Sequence, residues 1–293
     1  MLDLQNVTKT FGNVKALDDL TMTVPRGAVY GLVGPNGAGK STAIRCLLGV
    51  YRPDCGTVTL DGAPVYENPV AKARIGSIPD YIFYFPSATM EDMRKFYQGI
   101  YPKFDQALYY KLFEAFDLPK KAPLRRFSKG MQKQAAFHLT LCTRPEVLVL
   151  DEPVDGLDPV MRRQVWSLIL SEVAKEETTV LISSHNLREL EDICDHVGIM
   201  DHGRMLLQRS LADMQGATHK LQLVGNIPEG LEILHQNQSG RLTTLIVRGK
   251  AEDIAAKAQA AQCVYFDVLP LSLEEIFIYE LGGVNYEVKN IVL

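Results

Sequence analysis

Gly34-Pro35-Asn36-Gly37-Ala38-Gly39-Lys40-Ser41 decides how this chain is read. An apolar run, residues 28–33, precedes it, and residues 41–48, which read as a helix, follow it. Strand, glycine-rich loop and helix start are the context in which such a loop cradles phosphate. The glycines let backbone N–H groups curl around phosphate oxygens, at a helix end whose dipole already favours negative charge. Lys40 is placed to reach β- and γ-phosphates, and the Ser41 hydroxyl to ligate Mg2+. The implied ligand is a nucleoside triphosphate.

Composition bounds the rest. The 293 residues suffice for one large domain or two modest ones. A hydrophobic share of 46% leaves ample material for a core. A formal charge of −4 gives no sign of a nucleic-acid-binding surface, and the basic cluster at 120–126 reads as a solvated loop. The cysteines (Cys46, Cys55, Cys142, Cys194, Cys263) are odd in number and show no paired spacing, which argues against a disulfide framework and for a reducing cytosol. Residues 1–7 alternate like a strand rather than a signal peptide, and no apolar run approaches the length of a membrane span. A membrane role would therefore be peripheral and exercised through a partner.

Short apolar runs recur at residues 2–7, 21–24, 28–33, 57–60, 147–150, 179–183 and 197–200, several of them reading as buried strands of one α/β sheet. From about 89 to 142 the apolar residues instead recur at helical spacing, as in Met93, Phe96, Tyr97 and Ile100, with Pro102, Pro119 and Pro123 between helices. The expected fold class is α/β, a phosphate-loop NTPase sheet core over residues 1–210 with a helical insert at about 89–142. A small C-terminal α+β appendage is expected over 215–293. It has strands at 220–224, 243–247 and 264–268, helices at 251–260 and 273–281, and a loop over 226–240 around Pro228, Gly230 and Gly240.

Val147-Leu148-Val149-Leu150-Asp151-Glu152 is an apolar strand ending in two carboxylates. Beside a phosphate loop, Asp151 suits the Mg2+ shell, and Glu152 suits a water that attacks the γ-phosphate. Further along, Phe127-Ser128-Lys129-Gly130-Met131-Gln132 places a serine N-cap before a helix whose N-terminus can face phosphate. Asp155-Gly156-Leu157-Asp158 follows Glu152, and Ser183-Ser184-His185 ends a strand.

Taken together and in this order, over about residues 1–210, these motifs resemble the ATP-binding cassette (ABC) ATPases. The family's signature is Leu-Ser-Gly-Gly-Gln, and the form Ser-Lys-Gly-Met is similar to many bacterial exporter ATPases for drugs, bacteriocins or cell-envelope-active peptides. The resemblance implies ATP and Mg2+ as cofactors, with Glu152 and His185 catalytic. It implies nucleotide contacts from Phe11, Gly34, Pro35, Asn36, Gly37, Ala38, Gly39, Lys40, Ser41, Thr42, Ser128 and Gly130. Phe11 would stack on adenine, and the metal would be held by Ser41, Asp151 and Asp80. Asp80 is a departure: in Ile75-Gly76-Ser77-Ile78-Pro79-Asp80 it stands where the family normally carries Gln. A carboxylate there can still bind Mg2+ or order water, at the cost of more negative charge beside the triphosphate.

The resemblance also implies partners: a second ATPase subunit, of the same or a related chain, so that each ATP lies between one loop and the opposite signature, and an integral membrane permease. The aromatic run Tyr81-Ile82-Phe83-Tyr84-Phe85-Pro86 lies where such a permease docks, although packing of the helical insert accounts for it equally well. The expected place is the cytoplasmic face of the membrane, with no nucleic-acid partner. Competing readings are a soluble non-transport ABC ATPase, a phosphoryl-transferring kinase and an ATP-gated regulatory component.

Overall fold

The computed structural model describes residues 1–116, 118–176 and 178–281. They form two compact units, Met1–His185 with His196–Gln208, and Asn186–Asp195 with the chain from Arg209 on.

In the first unit the strands divide between two sheets. β1 (Leu2–Phe11), β2 (Val14–Val24), β4 (Cys55–Leu60) and β5 (Ala63–Pro64) make a four-stranded sheet in the order β2-β1-β4-β5. The runs at 2–7, 21–24 and 57–60 therefore belong to an antiparallel sheet and not to the parallel one. The cause is local: a connection of two residues pairs Phe11 with Val14, and so short a link joins only antiparallel strands. The other sheet holds β3 (Val29–Val33), β6 (Ile75–Ile78), β7 (Val147–Asp151), β8 (Thr179–Ser184), β9 (His196–Asp201) and β10 (Arg204–Ser210), in the order β10-β9-β3-β8-β7-β6. β3 runs parallel to β8 and β9, and β7 parallel to β6 and β8. Every residue of β3, β7 and β8 is buried, as befits strands covered on both faces.

α1 (Lys40–Leu47) starts directly after the phosphate loop, with Gly39 at its N-cap in the left-handed region, φ +102°. Ile44 and Leu47 of this helix join Leu2, Leu20, Leu32 and Leu181 in one core between the sheets. Full burial of each such leucine is worth about 1.5–3 kcal/mol over exposure. A short α2 (Pro69–Lys72) precedes β6. The insert consists of α3 (Met90–Ile100), α4 (Gln106–Phe116) and α5 (Lys129–Leu141). Thr89 and Asp92 close a reciprocal capping box on α3. α6 (Pro159–Glu176) follows β7.

The second unit contains α7 (Leu187–Glu191), α8 (Leu211–Ala217) and a four-stranded sheet in the order β12-β13-β11-β14. Its strands are β11 (Thr218–Val224), β12 (Glu232–Ser239), β13 (Leu242–Arg248) and β14 (Tyr265–Pro270). α9 (Ala251–Ala260) lays Ile254 and Ala258 on Leu221, Leu223, Leu245 and Val247. α10 (Leu273–Leu281) follows β14, and its Glu275 pairs with Lys220 at 2.5 Å. The loop expected over 226–240 is corrected by β12. Nearly all its side chains are exposed, so backbone pairing with β13 makes the strand without an alternating apolar pattern. Residues 282–293 of the expected appendage lie outside the described residues. No helix among the described residues is long and apolar enough to cross a membrane.

One buried polar group in the parallel sheet is anomalous. The Tyr30 hydroxyl is wholly buried and has no hydrogen-bond partner among the described residues. It lies against Gly198 of β9, where a Cβ would come within 2.0 Å of it. Removing an unsatisfied buried hydroxyl relieves a desolvation penalty. Tyr30→Phe is expected to raise the urea midpoint by the equivalent of about 1 kcal/mol. A lowered midpoint would show that the hydroxyl has a partner.

Candidate nucleotide site

The register of three strands assembles the site. Val33 at the end of β3 lies opposite Ser184 of β8, and Asp151 at the end of β7 lies opposite Ser183. The residues that follow, Gly34, Glu152 and His185, therefore leave the sheet at one edge, the carboxyl edge where parallel α/β sheets bind ligands.

Close backbone packing fixes the loop. A Cβ on Gly34 would sit 2.3 Å from the Met200 carbonyl oxygen, so no side chain fits there. The Ala38 carbonyl accepts from the Gly203 N–H at 2.9 Å, and the Ala38 N–H donates to the Pro35 carbonyl at 3.1 Å. Asn36 and Gly37 stand exposed at the crown, and Thr42 is half-buried in the first turn of α1.

Lys40 is 6% exposed, and its ammonium donates to the Gly34 carbonyl at 2.6 Å and the Pro35 carbonyl at 3.3 Å. It also stands 3.7 Å from Glu152 Oε1. Burial pulls the lysine's pKa down, against the opposing pull of the Glu152 and Asp151 charges. Asp151 Oδ1 accepts from the Ser183 hydroxyl at 2.5 Å and from the Ser41 hydroxyl at 3.3 Å. A hydroxyl and a carboxylate this close form a hard oxygen donor set. That suits Mg2+, which takes one or two protein oxygens and completes its shell with phosphates and water. Among the described residues no group of three or more His, Cys, Asp or Glu could hold a metal unaided.

Glu152 has left-handed backbone, φ +46°, which turns its carboxylate out of the strand line. Its N–H donates to the Ser183 hydroxyl at 3.1 Å. Its Oε2 lies 3.0 Å from His185 Nδ1, so that a proton on Nδ1 is donated to the carboxylate. Burial pushes the Glu152 carboxyl pKa up, and the His185 and Lys40 charges offset part of that rise. Loop, cation, two carboxylates and histidine thus form one continuous cluster.

The remaining expected residues stand apart from it. Phe11 is 42% exposed at the tip of the β1–β2 hairpin, edge-on to Tyr51 at 5.2 Å. Ser128 is the exposed N-cap of α5, its hydroxyl accepting from the Met131 N–H at 3.3 Å. A Cβ on Gly130 would reach ordinary contact with Met161 and Leu157, at 3.5 and 3.6 Å. No hydrogen bond among the described residues joins Ser128 or Gly130 to the loop. Asp80 is exposed beyond β6, and its charge acts on Lys133, whereas the bond from Ser41 goes to Asp151.

Two participants escaped the sequence reading. Ser183 ties both carboxylate residues to β8. Lys133 is buried on α5 and donates to the carbonyls of Glu152 at 2.8 Å and Asp155 at 2.9 Å. A lysine four residues before the wholly buried Phe137, on the same helix face, was the available signal.

A family profile described as ABC transporter matches residues 17–155. The ABC transporter ATP-binding protein YtrB of Bacillus subtilis is 30% identical over 97% of this chain and 99% of its own. The Nod factor export ATP-binding protein I of Burkholderia lata is 32% identical over 96% of this chain and 97% of its own. Among solved structures, one described as the ATP binding subunit of an ABC transporter superposes with a TM-score of 0.67 at 26% identity. It covers 73% of this chain, and 92% of that structure is matched. With full-length relatives and the cassette fold in agreement, this chain belongs to the ATP-binding, ATP-hydrolysing subunits of ABC transporters.

Proposed function

We propose that this ATPase powers a separate membrane permease in the export direction, as one of a pair of subunits that share two ATP sites. The observation that carries the reading is the cluster of Lys40, Glu152 and His185 on the loop, with Glu152 within 3.7 Å of the lysine and 3.0 Å of the histidine.

In this mechanism the loop amides and Lys40 hold the β- and γ-phosphates and offset their charge. Ser41 and Asp151 would hold Mg2+, which when bound neutralises charge developing on the phosphate oxygens. Glu152 takes the proton of the attacking water, and His185 keeps its carboxylate oriented. Phe11 offers an exposed ring for adenine. Ser128 and Gly130 head a helix whose exposed N-terminus can accept a phosphate. A second subunit's nucleotide satisfies that helix end.

The aromatic segment after Asp80 is the proposed permease contact. Tyr81, Phe83 and Phe85 are 83%, 73% and 49% exposed, an unusual concentration of large apolar surface. Tyr81, Phe83, Tyr84 and Pro86 line a groove of about 350 Å³ there. Export is favoured by the Nod factor export relative.

Glu152→Gln is expected to lower kcat by about 10²–10⁴-fold while ATP binding survives, the loss typical of a missing general base. Gel filtration with ATP should then show a stable dimer, and turnover that survives the change would remove Glu152 from the role. The pH dependence has a definite sign. The base works ionised, and burial favours its neutral form, so turnover should fail on acidification at a higher pH than the usual glutamate value of 4.5. A kcat–pH profile flat down to that value would contradict it. Affinity purification from detergent-solubilised host membranes should recover a polytopic protein that stimulates hydrolysis. Recovery of soluble partners alone would overturn the transport reading.

A further inference from the structure

Lys133 lies on α5, five residues beyond the Ser128 cap, and is 6% exposed. A buried ammonium is costly unless its donors are satisfied. Its partners here are two main-chain carbonyls, those of Glu152 and Asp155. They bracket a tight turn, which Asp155 N–H closes on the Glu152 carbonyl at 3.3 Å. That turn begins with a residue in the left-handed region, φ +46° at Glu152, a conformation non-glycine residues rarely keep unless their surroundings impose it. A Cβ on Gly130 of α5 would come to 3.6 Å from Leu157 Cδ2, just beyond the same segment.

The charges around Lys133 suit this placement. Burial pulls the Lys133 pKa down; the charges of Asp80, Asp155 and Glu152 oppose that, with Asp80 first among them, and Lys129 adds to it. Asp80, the departure from the family's Gln, thus acts on the lysine. The residue before Lys133 is held as well: the Tyr84 hydroxyl, 6% exposed with its residue, donates to the Gln132 carbonyl at 2.9 Å.

We propose that Lys133 is a positioning residue for hydrolysis: its ammonium grips the Glu152 and Asp155 carbonyls and so holds the turn that aims the Glu152 carboxylate at His185 and the attacking water. This rests on the reading of Glu152 as general base. The Lys133 ammonium bonds to main-chain carbonyls. It acts through the backbone of Glu152, so its loss moves the carboxylate without removing it.

The test is steady-state ATPase of the full chain carrying K133M, K133R or K133Q, alone and combined with E152Q, with the unfolding midpoint of each. K133M keeps the length and removes the donors. It is expected to lower kcat by about 10- to 100-fold, as small misplacements of a catalytic group do. KM for ATP should stay within about twofold, because the loop is untouched. K133R, with charge and donors, should recover most of the rate. In the E152Q background K133M should cost little more, because the two changes act on one group. Amide exchange at residues 154–157 should quicken in K133M while α1 keeps its protection.

A K133M kcat within twofold of the parent, with only the midpoint lowered, would make the lysine a structural clip and overturn the proposal. So would equal losses in the parent and E152Q backgrounds. Where K133M does not fold, K133Q, which retains an N–H donor, is judged by the same criteria. Surviving turnover in E152Q alone would instead refute the base assignment, so the two failures are separable.

Discussion

β8 lies between β3 and β7, and its parallel hydrogen bonds to both are the constraint on which the site depends. Neither the loop nor the carboxylates nor the histidine lie near one another in the chain. They meet because Val33 pairs with Ser184 and Asp151 with Ser183, so the three strands end within a residue of one another. A slip of one residue in any of the three strands would turn its alternating side chains to the opposite face. Because all three strands are buried on both faces, the surrounding core resists such a slip from either side. The register thereby brings the loop, the two carboxylates and the histidine to one edge of the sheet.

Electrostatics then follow from depth. The same burial that secures the strands lowers the pKa of Lys40 and raises that of Glu152, and the charge of each opposes the shift of the other. Ser183 adds a neutral brace, its hydroxyl between the Asp151 carboxylate and the Glu152 N–H. Bonds within the chain thus fix the positions of both carboxylate residues.

The sequence disclosed those parts of this arrangement that are local. Gly34 to Ser41, the strand ending in Asp151-Glu152, and His185 at a strand end are contiguous patterns whose residue types follow from their chemistry. α9 and α10 were legible for the same reason, their periodicity being contained within one segment. The division of strands between two sheets was not legible, because pairing is a relation between distant segments and apolar runs look alike in either sheet. β12 was hidden because its polar run, His235-Gln236-Asn237-Gln238-Ser239, is held by main-chain bonds that leave no mark on side-chain type. Lys133 was hidden for a related reason. Its partners are carbonyls 19 and 22 residues away, and any residue could supply those.

The left-handed backbone of Glu152 sets stability against the proposed general base at a single position. Such a conformation costs about 1–3 kcal/mol for a residue with a Cβ. Glycine adopts it freely, and asparagine more readily than most. Either would relax the main chain while deleting the carboxylate, so ordinary selection for a sturdier fold pulls position 152 away from glutamate. With Glu152 as the proposed general base, a library of variants sorted on thermal survival alone would enrich chains that lack the base.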